Sequence, residues 1–413
     1  MKKYYTLAEA SELLGKSKET LRRWDREGKL VAVREPMSNY RVYKKEHVDD
    51  LFSNFINPSL EIESVSNFTK AKKKYSVLEL FAGAGGLAIG LEQAGLNCVA
   101  LNEIDKWACQ TLRKNRPHWN VLEGDIKKFD FNKYKDKVDV VTGGFPCQAF
   151  SYAGKKLGLA DARGTLFYEF ARVVKEVNPL VCIGENVRGL LSHDNGKTLE
   201  GMISILDEIG YRVVPVQVLK ALNYNVPQKR ERLILVGIRK DIEANFEYPK
   251  PFKKIYTLKD ALKKGALYDT NVPKSEGAKY PKSKIEVMNL IPPKGYWRDL
   301  PIDLQKKYMG GSFYLGGGKT GIARRIGWDE PCLTLTCSPA QKQTERCHPD
   351  ETRPFTVREY ARIQTFPDNW DFQGSLANQY KQIGNAVPVN LAKEVGFSII
   401  KLLNEIYKEL KLK

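Results

Sequence analysis

The residue best suited to covalent chemistry stands in the run GGFPCQAFS, where Cys147 directly follows Pro146 and precedes Gln148. A thiolate is a strong nucleophile, but a thiol of ordinary pKa, about 8.5, is only a few per cent ionised at neutral pH and needs positive charge or oriented amides nearby. Lys155, Lys156 and Arg163 follow among Gly154, Gly158 and Gly164, and helical periodicity resumes only near Thr165. A stretch of that length exceeds the usual limit of about 12–15 residues for a plain connection and reads as a lid over a site. A lone cysteine is more often a small core residue; its place in a Phe-Pro-Cys-Gln turn beside a glycine-rich lid favours the nucleophile.

Two further groups of residues have chemistry to match. Glu185, in IGENVRGLL, is a candidate acid for a ring nitrogen. Arg230 and Arg232, in VPQKRERLILVG, stand on alternate residues and share one face of a strand. Arginines so placed suit phosphates and carbonyl oxygens, although each alone also reads as a structural ion pair. In LELFAGAGGLAIG, Gly83, Gly85 and Gly86 form a turn between a strand and a helix, which lets backbone approach a ligand and aims helix amides at it. The spacing G-x-G-G is not the dinucleotide pattern. Glu103 follows Gly85 by 18 residues at the end of the next strand, where an acid grips ribose hydroxyls. Asp125, in LEGDI, is placed to accept from an adenine amino group, so the ligand reads as a nucleoside.

The elements that must position these residues alternate. SVLELF, NCVALNE, KVDVVTGG and PLVCIGE read as buried strands, and GLAIGLEQAG, DKWACQTLRKN and GTLFYEFARVVKEV as helices. This predicts an α/β fold with a doubly wound, largely parallel sheet over residues 75–247, its chemistry at the carboxyl edge. Residues 248–355, rich in Gly, Pro and Lys, predict a smaller irregular domain, and 356–413 predict helices that complete the main domain.

Residues 1–57 predict a separate module joined by a linker at 58–74. Thr6 and Glu9 form a capping box, Gly15 suits a helix end, and Ser17 caps a second helix carrying Arg22, Arg23 and Arg26. VAVRE and YRVY flank the turn-forming PMSN as a hairpin wing. This segment resembles the winged helix-turn-helix of the MerR and excisionase group, which implies DNA binding. Its balance of 12 Lys/Arg against 9 Asp/Glu leaves protein contact as the other reading.

The whole chain of 413 residues carries a formal net charge of +18, which points to a polyanionic partner, nucleic acid before anionic membrane. No apolar run approaches the roughly 18 residues of a membrane span. The first residues turn polar and helical too early for a signal peptide. Seven scattered cysteines without a C-x-x-C pair give no metal site or disulfide framework and fit a reducing cytoplasm.

In this order, LELFAGAGGL, NEID, GDI, GGFPCQAFS, ENVRGLL, QKRER, REYARIQTFPD and QIGNAVPVNLA resemble the bacterial DNA cytosine-5 methyltransferase family, from about residue 76 onward. The resemblance implies a Rossmann-like domain binding S-adenosylmethionine through Phe81, Gly83, Gly85, Gly86, Glu103 and Asp125, with Ile104 and Ile126 against the adenine and Asn385 closing the pocket. It implies that Cys147 adds to C6 of a flipped-out cytosine, with Pro146 and Gln148 setting its loop. Glu185 would then bond N3 and the exocyclic amine, and Arg232 would sit near O2 with Arg230 close by. Ser151, Lys155, Arg163 and Thr334 would meet the DNA. Two positions depart from the pattern: Ile104 stands where an aromatic is frequent, and Tyr360 where many members carry Cys. Residues 248–355 would be the target-recognition domain, with GGSFYLGGGK and SPAQKQTERCHPDETR toward the major groove. The expected partners are a short, palindromic duplex site, the enzyme's own promoter and a cognate restriction endonuclease, with a monomeric catalytic unit in the nucleoid-bearing cytoplasm.

Two other readings compete. A tRNA cytosine-5 methyltransferase would share the Pro-Cys-Gln motif but usually lacks a helix-turn-helix. A transcriptional regulator with a silent core is disfavoured by the intact Cys147, Glu185 and Arg232. An amino-methyltransferase would carry an Asp/Asn-Pro-Pro-aromatic tetrapeptide, and none is present.

Overall fold

The computed structural model describes residues 4–13, 18–28, 30–34, 40–48, 67–146, 165–315 and 319–410. They fall in two compact units, Met1–Val65 and Ser66–Lys413. In the first, strand β1 (Tyr4–Thr6) enters helix α1 (Leu7–Leu13) through a reciprocal cap. The Glu9 amide donates to Thr6 Oγ1 at 3.3 Å, and the Thr6 amide to Glu9 Oε2 at 2.9 Å. Helix α2 (Lys18–Arg26) precedes β2 (Ala32–Arg34) and β3 (Arg41–Lys44). The expected two-stranded wing gains a third strand, because β1 pairs antiparallel with β3 in the order β1-β3-β2. Asp25 ties α2 to the wing, accepting from the Ala32 amide at 2.9 Å and Arg41 Nε at 3.0 Å. Ala10, Leu21, Trp24, Leu30, Tyr43 and Val48 form the core. Gly15, Ser17 and the PMSN turn lie outside the described residues.

The second unit is built on β4 (Ser76–Leu80), β5 (Asn97–Glu103), β6 (Val121–Glu123), β7 (Val140–Gly143), β8 (Val181–Val187), β9 (Tyr211–Val213), β10 (Gln217–Lys220) and β12 (Glu231–Arg239). The two-residue β11 (Gln228–Lys229) pairs outside this sheet with β14 (Cys332–Leu333). The sheet order is β10-β12-β8-β7-β4-β5-β6, with β9 also on β12. Strands β6, β5, β4, β7 and β8 run parallel. β12 pairs antiparallel with β8, β10 and β9, so β12 alone among the eight strands reverses direction, and β9 and β10 run with the parallel set. Apolar runs such as RLILVGI look alike in either direction, which is why alternation alone reads as mostly parallel.

The chain crosses from β4 through α3 (Gly86–Ala94) to β5 and through α4 (Lys106–Asn115) to β6, then returns to β7 and through α5 (Leu166–Val177) to β8. The order therefore reverses between β4 and β7, and open α/β sheets bind ligands at the carboxyl ends beside such a point. Val77 faces one core, with α3 and the last helix; Leu78 and Leu80 face the other, with α5 and α6 (Lys197–Glu208). Glu79 is on the side of Val77, an acid within a core strand.

After β12 the rhythm gives way to short elements: α7 (Leu258–Leu262), α8 (Lys282–Asn289), α9 (Ile302–Met309), β13 (Arg324–Arg325) and β15 (Arg346–Cys347). Tyr280, Met288, Ile291, Trp297, Leu300, Met309 and Cys347 gather in a small core of their own, whereas Leu258, Ala261, Leu262 and Leu335 join the main one. α10 (Val357–Ile363), α11 (Leu376–Asn385) and α12 (Val389–Leu410) then return to the sheet. α12 lies on α3 with little between them: a Cβ on Gly90 would stand 2.4 Å from Ala392 Cβ, and one on Gly396 would stand 2.6 Å from Ala94 Cβ. The segment 67–74, the end of the expected linker, is bound to α12. Asn67 Nδ2 donates to Glu394 at 2.9 Å, the Lys72 amide donates to Asn404 at 3.0 Å, and Lys73 sits 3.5 Å over the Tyr407 ring. No described helix is long and apolar enough to cross a membrane.

Candidate active site

The turn after β4 is shaped by backbone angles that side chains resist. Phe81 has φ of 57°, Gly83 of 54° and Gly85 of 84°. Gly86 lies against the C-terminal segment, since a Cβ there would come within 2.3 Å of the Val387 carbonyl oxygen. The end of β5 braces this turn: Glu103 accepts from the amides of Gly83 at 2.7 Å, Ile104 at 2.8 Å and Asp105 at 2.7 Å. An ionised carboxylate offers about four acceptor positions, so Glu103 keeps roughly one for a ligand. Asp125 uses Oδ1 to hold the Lys127 amide at 3.0 Å. Ile126 is buried, and Ile104 is 69 % exposed.

On the far side of the switch point, Phe145 fixes the end of β7. Its ring packs on Phe167 and Phe170, and its carbonyl accepts from Asn186 Nδ2 at 2.8 Å. Glu185 of β8 forms an ion pair with Arg232 of β12, Oε1 to Nε at 2.5 Å, with both side chains about a tenth exposed. The pairing of Glu185 with Ile234 places Arg232 diagonally across on the same face. Burial raises the Glu185 carboxyl above its ordinary pKa despite the opposing Arg232 and Arg230. Arg230 is a strut, donating to the carbonyls of Leu335 at 3.1 Å and Gly384 at 2.9 Å. Burial, and then the Arg232 charge, bring its guanidinium down to about 9.

One cavity of about 790 Å³ brings together Phe81, Gly83, Gly86, Glu103, Ile104, Asp125 and Ile126 with Pro146, Glu185, Arg230, Arg232, Thr334 and Asn385. Gly85 is not in its wall; its Cβ position points at Leu112. Cys147, Gln148, Ser151, Lys155 and Arg163 lie outside the described residues. Thr334 Oγ1 donates to the Lys229 carbonyl at 2.6 Å, and Cys337 Sγ donates to Asn385 Oδ1 at 2.9 Å. Within SPAQKQTERCHPDETR, Gln341, Lys342 and Gln343 are exposed, but Glu345 to His348 are buried. That inner half cannot face a groove, because Glu345 accepts from Tyr308 at 2.9 Å and pairs with Lys284. In the first unit Arg22, Arg23 and Arg26 are exposed on α2, paired with Glu19 of the same helix or with Glu27 just after it.

Sequence reasoning passed over Glu79, Asn186, Cys337 and Lys381, all in the same cavity wall. Glu79 carried a legible mark, a charge in a strand whose neighbours are apolar. It is 2 % exposed, and its Oε2 has no hydrogen-bond partner within the protein. Burial, and then the nearby Glu103 charge, hold its carboxyl well above the usual range. A carboxyl raised in the folded state loses stability as pH climbs above its unfolded value of about 4.3 toward the folded one. Glu79→Gln is therefore expected to stabilise the ligand-free protein at pH 8 and leave it little changed at pH 4. Urea denaturation at the two pH values checks this; equal midpoint shifts at both would contradict it.

A largely parallel sheet with a glycine-rich turn after β4, an acid closing β5 and a cavity across the switch point defines a Rossmann-like α/β protein with a ligand site at the carboxyl edge. Comparison with known proteins carries this further. Residues 75–401 match the family described as C-5 cytosine-specific DNA methylase, and residues 5–52 match the MerR helix-turn-helix regulatory family. The chain is 61% identical over 412 residues to the Type II methyltransferase M.Eco47II of Escherichia coli, covering 99% of this chain and 98% of the relative. It is 54% identical to M.PspPI of Psychrobacter sp. (strain TA137), covering 98% of each. A solved DNA modification methyltransferase from an Escherichia coli prophage shares the fold with a TM-score of 0.61 at 23% identity, over 80% of this chain and 100% of that one. The chain belongs to the C-5 cytosine-specific DNA methylase family and is a DNA cytosine-5 methyltransferase with an N-terminal helix-turn-helix.

Proposed function

We propose that the chain transfers a methyl group from S-adenosylmethionine to C5 of a cytosine extruded from a short duplex site, through a covalent bond between Cys147 and C6. The observation that carries this is the shared cavity, which holds a nucleoside cradle at β4 and β5 and the Glu185–Arg232 pair at β8 and β12. Pro146, immediately before Cys147, lies in the same wall. The cradle fits the cofactor: Glu79 and Glu103 retain acceptor capacity, Asp125 Oδ2 is left beside Ile126, and Gly86 keeps the turn close. When bound, the cofactor supplies an electrophilic methyl.

The chain's own residues do the rest. C5 of cytosine is a poor nucleophile inside an aromatic ring. Attack of the Cys147 thiolate on C6 forms the S–C6 bond and breaks the C5–C6 π bond, leaving C5 enamine-like. Glu185, its carboxyl raised by burial, shares its proton with N3 as negative charge develops. Arg232 donates to O2 and keeps Glu185 aligned. After C5 is methylated, its proton leaves, the S–C6 bond breaks and the ring is restored. Extrusion of the base costs a few kcal/mol, which cations along the DNA path offset.

Labelled methyl appearing at C5 of cytosine in unmethylated duplex DNA supports the reading. Label found only on tRNA would overturn it in favour of the RNA-directed reading. The name Type II methyltransferase borne by relatives supports a cognate endonuclease as partner, and a DNA substrate supports a cytoplasmic, nucleoid-associated enzyme. The first unit, with Arg22, Arg23 and Arg26 exposed on α2, is proposed to bind the enzyme's own promoter. Deleting residues 1–65, the whole first unit, is expected to abolish promoter binding in a gel-shift titration while leaving methylation rate and sequence preference intact. Unaltered promoter binding would exclude that role.

A further inference from the structure

The two carboxylate oxygens of Asp105 have separate tasks. Oδ1 caps α4, accepting from the Trp107 amide at 2.9 Å and the Ala108 amide at 3.2 Å, while Oδ2 accepts from Lys381 Nζ of α11 at 2.9 Å. The Lys381 side chain is 55 % exposed and that of Asp105 26 %. The bond to Asp105 raises the Lys381 ammonium above its ordinary pKa, so it is charged at neutral pH.

Both residues stand in the cavity wall. Ile104, next to Asp105, and Asn385, one turn beyond Lys381, also line the cavity and yet are exposed. The cavity therefore opens to solvent between the start of α4 and the end of α11, and the ion pair spans that gap. Deeper in, the same two helices are joined by uncharged groups. Thr111 Oγ1 donates to Gln382 Oε1 at 2.6 Å and accepts from the Gln373 amide at 2.8 Å, and Gln382 Nε2 donates to the Gln373 carbonyl at 2.8 Å. Thr111 and Gln382 are buried. The seam is thus fixed at its base by buried hydrogen bonds and fastened at its rim by a partly exposed ion pair, a weak link that opens readily.

We propose that the Asp105–Lys381 pair is a bar across the mouth of the cofactor cradle, and that Lys381 is a positioning residue which sets how fast the cofactor leaves. The inference rests on the reading that the cradle at Glu103 receives S-adenosylmethionine. Lys381 acts by holding α11, and with it Asn385, against the start of α4; it does not act on the reacting atoms.

The test is release of labelled S-adenosylmethionine from the full chain, chased with excess unlabelled cofactor and followed by rapid filtration. Lys381→Gln removes the ammonium. Asp105→Asn removes the charge but keeps an oxygen for the cap, since Asn and Asp serve equally there. Each is expected to speed release about two- to fivefold, the range a partly exposed ion pair supplies. The double variant should be no faster than either single one, because both remove the same link, and Lys381→Arg should restore slow release. Decarboxylated S-adenosylmethionine, which has no carboxylate for Lys381 to hold, should show the same factors. Unchanged release, additive effects of the two substitutions, or an effect that disappears with the decarboxylated cofactor would each overturn the proposal, the last by making Lys381 a direct ligand. Failure of wild type to bind S-adenosylmethionine in equilibrium dialysis would instead sink the underlying reading.

Discussion

Cys147→Ser is expected to lower methyl transfer by at least about 10⁴-fold, the scale on which removing a covalent nucleophile acts. A serine hydroxyl is far less ionised at neutral pH and carries a harder, less polarisable atom, so it does not add to C6. The variant should still fold and bind both substrates, because the cradle at Glu103 and the Glu185–Arg232 pair are untouched. Single-turnover transfer of labelled methyl measures the rate. A duplex carrying 5-fluorocytosine provides an independent readout: fluorine cannot leave C5 as a proton does, so wild type should remain covalently joined to DNA and the serine variant should not. A rate within tenfold of wild type, or an adduct that survives the substitution, would remove Cys147 from the mechanism.

Glu185→Gln is expected to lower kcat by about 10²–10⁴-fold, the usual contribution of a positioned acid. The amide can still bond a ring nitrogen but has no proton to give. Its effect should also change the shape of the pH profile. In wild type, the thiolate fraction of Cys147 rises with pH, whereas the protonated fraction of Glu185 falls once pH passes its burial-raised value. The product of the two is a bell. With Gln in place, the descending limb due to Glu185 should vanish and the residual rate should climb with pH alone. Stability offers a control: Glu185→Ala strands the buried Arg232, a loss of about 3–5 kcal/mol, whereas Gln keeps an acceptor for it. A glutamine variant with an unshifted bell would show that another group supplies the proton.

Much of this site is written locally. The turn that presents Gly83 and Gly86, the acid closing β5 and the alternate arginines of QKRER each follow from short-range spacing, and the structure brings them into one cavity. What spacing could not show is how their bonds are shared. Glu103 spends most of its acceptors on the Gly83 turn and the start of α4, and Arg230 is a buried strut. Neither is visible without the partners, which for Arg230 lie at Leu335 and Gly384. The opposite wall, with Cys337, Lys381 and Asn385, comes from residues more than 200 positions beyond the glycine turn, so no periodicity links them. Strand direction was similarly hidden: the buried apolar run of β12 gives no sign that it reverses against β8.

The glycine contacts between α3 and α12 have a consequence for how the protein is made. Gly86 meets Val387 and Gly90 meets Ala392, so the glycine turn at the cavity is completed by chain synthesised roughly 300 residues later. Contacts of such long sequence separation form late and slowly. A ribosome-bound chain that has exposed β4 to β12 therefore owns the reactive motifs but not the wall opposite them. Competence to modify the genome should arrive in a single step when α12 emerges, and not accumulate during translation. Truncated or stalled products that lack α12 would be inert toward DNA.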